Sequence, residues 1–75
     1  MNLKDIKKVY LLGIGGIGMS ALARYFKELG AEVSGYDKTA TALTKELEAE
    51  GIAVTFNDDV DALPKDVDLV IYTPA

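Results

Sequence analysis

Four glycines fall within Gly13-Ile14-Gly15-Gly16-Ile17-Gly18, a run that contains the spacing G-x-G-x-x-G. Such a turn does chemistry without a reactive side chain. Where it leaves a strand and opens a helix, bare backbone N–H groups and the positive end of the helix dipole face an anion, typically a diphosphate. On this reading Gly13 permits the tight exit from the strand. Gly15 removes the side chain that would block a diphosphate, and Gly18 lets the helix approach the sheet closely. Gly16 makes the turn barer still. Four glycines so close together destabilise a loop that has no other use for them.

Asp37 is the second signal. It ends the second apolar run, about 20 residues beyond the last glycine, where a dinucleotide-binding unit places an acidic acceptor for ribose hydroxyls. A base N–H would suit it equally, and a 2′-phosphate would be repelled. The competing role is a helix-capping or solvated turn Asp. Ser20, read on the polar helix face near the turn, is placed to touch a phosphate or simply to meet water. Thr73, just past the fourth strand, borders the crevice where such sheets bind ligands. Asp58, Asp59 and Asp61 lack the glycine and terminal Glu of a calcium loop and read as a solvated cap.

Much other chemistry is excluded. The chain has no His and no Cys, which removes Ser-His and Cys-His catalysis, His-ligated metals, thiolate–zinc sites and disulfides. There is no G-x-x-x-x-G-K-[ST] and no Lys after the glycine turn, so no ATP-type phosphate loop. A net charge of −4 argues against a nucleic-acid partner. The apolar run Val9 to Leu12 is too short for a signal segment or a membrane span, so a cytoplasmic protein is expected.

The elements that position these residues alternate. Lys8 to Leu12 reads as a buried strand, and Ile17 to Leu29 as a helix stopped by Gly30. The helical spacing puts Gly18, Ala21, Leu22, Tyr25, Phe26 and Leu29 on one face, expected to pack on the sheet. A strand over Ala31 to Tyr36 follows. A second helix is capped by Thr39 or Thr41, buries Leu43 and Leu47, and stops at Gly51. Ile52 to Phe56 is a third strand, Val60 to Leu63 a helical turn, and Asp68 to Tyr72 a fourth strand. Strands joined through helices form a parallel sheet. The expectation is an α/β, Rossmann-like doubly wound sheet in three layers, strand order 3-2-1-4. Residues 1–75 form one domain, and the apolar last strand suggests a truncated one. Its open edge favours self-association as a homodimer.

Gly13-Ile14-Gly15-Gly16-Ile17-Gly18-Met19-Ser20 resembles the opening motif of the ATP-dependent Mur ligases of peptidoglycan synthesis, specifically the branch that joins L-alanine to UDP-N-acetylmuramate. The similarity continues through Val33-Ser34-Gly35-Tyr36-Asp37 and Asp68-Leu69-Val70-Ile71-Tyr72-Thr73. The branch that recycles murein tripeptide usually has a Cys and bulkier residues in this turn. The resemblance implies a three-domain enzyme whose N-terminal, Rossmann-like domain binds the UDP part of the substrate. ATP and magnesium belong to the central domain, where the muramate carboxylate is phosphorylated before alanine attacks. It implies a substrate-binding set of Gly13, Gly15, Gly16, Ile17, Gly18, Met19, Ser20, Asp37 and Thr73, with no catalytic residue in this stretch. Two positions depart from the family pattern: Tyr36, where Ser is frequent, and Asn57, where many members have His. The reading from another class is an NAD-binding regulatory module, which would use the same turn and the same Asp.

Overall fold

The structure is a computed structural model of the chain, and it describes residues 3–57 and 63–72. After a short 3-10 turn at Leu3–Asp5 come β1 (Lys8–Leu12), α1 (Ile17–Glu28), β2 (Glu32–Tyr36), α2 (Ala42–Ala49), β3 (Ala53–Thr55) and β4 (Leu69–Ile71). All pairings are parallel and the order is β3-β2-β1-β4, as expected from the alternation. β1 lies inside the sheet: Val9 and Leu11 on one face are wholly buried, and Tyr10 on the other is buried as well. The register sets Val9 against Val33 and Leu69, and Leu11 against Gly35 and Ile71. Asp68 secures the start of β4, its carboxylate accepting the N–H groups of Lys7 and Lys8 at 2.8 and 2.9 Å.

Both helices join one core with Val9, Leu11 and Val33, through Met19, Ala23 and Phe26 of α1 and Leu47 of α2. The face that α1 buries is turned from the one expected. Phe26 is buried and Leu29 packs against the core as expected, but Gly18, Ala21, Leu22 and Tyr25 are exposed, and Met19, Ser20 and Ala23 are buried instead. Helix α1 carries two apolar stripes, and a periodicity count does not choose between them. Met19, Ala23 and Phe26 are spaced i, i+4, i+7, with a small residue at the centre of the stripe, whereas Leu22 and Tyr25 at the centre of the expected face would hold the helix off the sheet. Ala23, with no exposed surface, is the small residue that permits close packing of this helix. Tyr25 remains outside, meeting Phe26 edge-on with ring centroids 5.5 Å apart.

The stops are as expected. Gly30 adopts φ +93°, with its N–H on Lys27 O and the Ala31 N–H on Phe26 O, a Schellman ending. Helix α2 ends in the same way at Gly51. At its start Thr41 is the cap, and Thr44 is buried together with Leu47, while Leu43 is only half-buried. The third and fourth strands are shorter than expected, since only their central residues pair. The helical turn expected from Val60 falls mainly outside the described residues, as do Asp58, Asp59 and Asp61. Among the described residues, no helix is long and apolar enough to cross a membrane.

Candidate functional site

The glycine turn begins where β1 ends. Gly13 has φ +81°, a conformation that an L side chain rarely adopts, and the chain reverses there. The N–H groups of Gly13 and Ile14 both reach Tyr36 O, at 2.8 and 3.0 Å, so the turn hangs on the end of β2. The Ile14 side chain is wholly buried beneath it. It fits because β2 carries Gly35 at that point, where a Cβ would stand 2.7 Å from Ile14 Cδ1. Gly16 N–H closes the turn onto Gly13 O at 3.0 Å.

Asp37 faces this turn directly. Its Oδ2 accepts the Gly15 N–H at 2.7 Å and its Oδ1 accepts the Thr39 N–H at 3.0 Å. Its own N–H goes to Thr55 O, which holds the end of β2 against β3. Sequence spacing thus located the acidic residue, and the structure brings it to Gly15. Each carboxylate oxygen has two acceptor positions, so one on each oxygen is left after these bonds.

The reasons for the individual glycines change. A Cβ on Gly15 would lie 2.7 Å from Asp37 Oδ2 and 2.9 Å from Thr44 Cγ2, so Gly15 is bare because the chain's own side chains occupy that space. Gly18 does not face the sheet: it is exposed, and a Cβ there would meet nothing within 4 Å. Ser20, expected on the polar face, is buried, with its hydroxyl donating to Ile17 O at 2.9 Å. Thr73 lies outside the described residues.

Helix α1 opens with Gly16 as a cap that has no side-chain hydrogen bond, and Ser20 N–H to Gly16 O is its first backbone bond. Among the described residues, no group accepts the N–H of Ile17, Gly18 or Met19. The first turn holds no acidic residue that would neutralise the dipole. Three backbone donors and a partial positive charge therefore stand open at the C-terminal edge of the sheet, beside the residue that Asp37 grips. Such an arrangement has the chemistry to accept an anionic group on the N–H donors and a hydrogen-bond donor on the carboxylate. The open depression lined by Ala21, Arg24, Tyr25, Lys27, Glu28 and Glu50 lies on the outer side of α1 and has a different character. Its guanidinium is committed to Glu50.

Thr44 is the residue that the sequence reading missed. Its signal was the spacing Thr41-x-x-Thr44, a capping box with Thr in place of the usual Glu or Gln.

The model of the Mur ligase family, catalytic domain, matches residues 8–75. The chain belongs to the Mur ligase family. Among its relatives, the UDP-N-acetylmuramate–L-alanine ligase of Flavobacterium psychrophilum is 61% identical over the whole of this chain, which covers 18% of that protein. The ligase of the same name from Cytophaga hutchinsonii is 60% identical, again over the whole chain and 17% of the relative. The crystal structure of UDP-N-acetylmuramate-alanine ligase MurC from Thermotoga maritima superposes with a TM-score of 0.84 at 41% identity, covering 91% of this chain and 16% of that one. This Mur ligase chain thus spans less than a fifth of the length of these relatives.

Proposed function

We propose that the chain binds the UDP moiety of UDP-N-acetylmuramate for the ATP-dependent addition of L-alanine in cytoplasmic peptidoglycan synthesis. The observation that carries this reading is the set of open N–H groups of Ile17, Gly18 and Met19 beside an immobilised Asp37. The diphosphate oxygens take those donors. Asp37, which offers only acceptors, takes donors from the ligand: ribose hydroxyls or the uracil N–H. Placing the diphosphate on Asp37 instead would set like charges together. The names of the relatives support the substrate.

The sequence carries no G-x-x-x-x-G-K-[ST] for ATP. We assign this stretch the binding step.

The test is a titration of the chain with UDP-N-acetylmuramate, UDP and NAD, followed by amide NMR. The expected result is saturable shifts at Gly15 to Ser20 and at Asp37 with both UDP ligands. A response to NAD alone would replace this reading with the dinucleotide one.

A further inference from the structure

Thr44 is three residues into the cap of α2, far in sequence from the glycine turn, and has no exposed surface. Its hydroxyl is fully engaged within that cap: Oγ1 accepts the Thr41 N–H at 2.8 Å and donates to Thr41 O at 2.9 Å. In return the Thr41 hydroxyl accepts the Thr44 N–H at 3.2 Å. A β-branched side chain whose hydroxyl is held in this way has its methyl direction set as well. That methyl points at Gly15, since a Cβ built there would stand 2.9 Å from Thr44 Cγ2. Asp37 grips the Gly15 N–H at 2.7 Å. Gly15 therefore has a carboxylate on its N–H and a methyl in the space that a Cβ would need. It leads directly into Gly16 and the open donors of α1.

We infer that Thr44 is a positioning residue for the glycine turn: its methyl, aimed by the α2 cap, and the Asp37 carboxylate together place Gly15, and through it the donors that meet the ligand. The ligand half of this inference rests on the proposed UDP-binding role. The half that concerns Gly15 does not.

Two variants separate the methyl from the hydroxyl. Thr44→Ser keeps the cap and removes the methyl. Thr44→Val keeps the methyl and removes the Thr44 hydroxyl half of the capping box, while the Thr41 hydroxyl still accepts the backbone N–H of position 44. Amide hydrogen exchange of Gly15 is measured against that of Leu11, a β1 amide inside the sheet, and the dissociation constant for UDP is measured by calorimetry. In Thr44→Ser, Gly15 exchange should rise about three- to tenfold relative to Leu11, the scale of one buried methyl, with a weakening of UDP of similar size. In Thr44→Val the bonds that aim the methyl are lost, so the melting temperature should fall and Gly15 exchange should rise relative to Leu11, though less than in Thr44→Ser. An unchanged Gly15-to-Leu11 ratio in Thr44→Ser overturns the assignment. A raised ratio with unaltered UDP affinity overturns the link from turn to ligand. If the wild-type chain binds no UDP, the substrate reading fails instead, and the exchange ratio still decides what Thr44 does.

Discussion

Asp37 Oδ2 accepts the backbone N–H of Gly15 at 2.7 Å, across 22 positions of sequence, while its other oxygen accepts the Thr39 N–H. One half-buried carboxylate thus joins the end of β2, the glycine turn and the approach to α2. The sequence suggested an acceptor for ribose hydroxyls or a base N–H, with a helix-capping or solvated turn Asp as the competing role. The structure makes it a structural tie as well as the proposed ligand acceptor.

Asp37→Ala should therefore act twice. Losing the two backbone bonds should destabilise the chain by about 1–3 kcal/mol. Binding of UDP-N-acetylmuramate should weaken by about 1.5–3 kcal/mol, the scale of a hydrogen bond to a charged group. Asp37→Asn should not restore stability, because its NH2 would face one of the two N–H donors. Thermal melting and calorimetry of both variants check this; a wild-type melting temperature would show that the two backbone bonds contribute nothing.

The glycines of the turn should respond in opposite ways. Gly15→Ala forces a Cβ to within 2.7 Å of Asp37 Oδ2 and should cost about 1–3 kcal/mol. Gly18→Ala meets open space at the second helical position and should be neutral or stabilising by up to about 0.8 kcal/mol. Denaturant titration of the pair decides. Strong destabilisation by Gly18→Ala would restore the face that periodicity first favoured.

The rotation of α1 has its own test. Ala23 is fully buried, and Ala21 is exposed. Ala23→Leu should overpack the core and cost about 1–3 kcal/mol or more. Ala21→Leu should stay within about 0.5 kcal/mol of wild type. Equal melting temperatures for the two variants would contradict the observed packing.

Acid should loosen the ion pairs. Arg24 meets Glu50 through two bonds, at 2.9 and 2.8 Å, and its guanidinium holds the Glu50 carboxyl below the usual range. The Lys8 ammonium does the same to Asp66. A carboxyl with a lowered folded pKa stabilises above its unfolded pKa, and that contribution disappears as pH falls through the folded value. Melting temperature should thus decline below about pH 4.5, modestly, because both pairs are exposed to solvent. On the alkaline side Lys8, raised by Asp66 first and Glu32 second, keeps its pairs until the pH passes its own raised value. Glu50→Gln should flatten part of the acid decline; an acid limb identical to wild type would remove Glu50 from the account.

The alternation of strands and helices, their order in a parallel sheet, the glycine stops and the turn at Gly13 to Gly18 were legible before any tertiary contact was known. Those are local signals: apolar runs, glycine placement and capping chemistry act within a few residues, and a parallel sheet follows from helical connections. The place of Asp37 was legible because a strand end is a local feature. What Asp37 holds was not, since Gly15 comes near only after β1 and β2 pair. The buried face of α1 was decided in the same way. Two stripes that share Phe26 satisfied the helical period, and packing chose the one with the small Ala23 at its centre, leaving Leu22 and Tyr25 outside. Ser20 went inward with that rotation, and Thr44 reached Gly15 only because α2 packs where it does. Periodicity names the faces that a helix has; the volume and shape of what lies opposite choose among them.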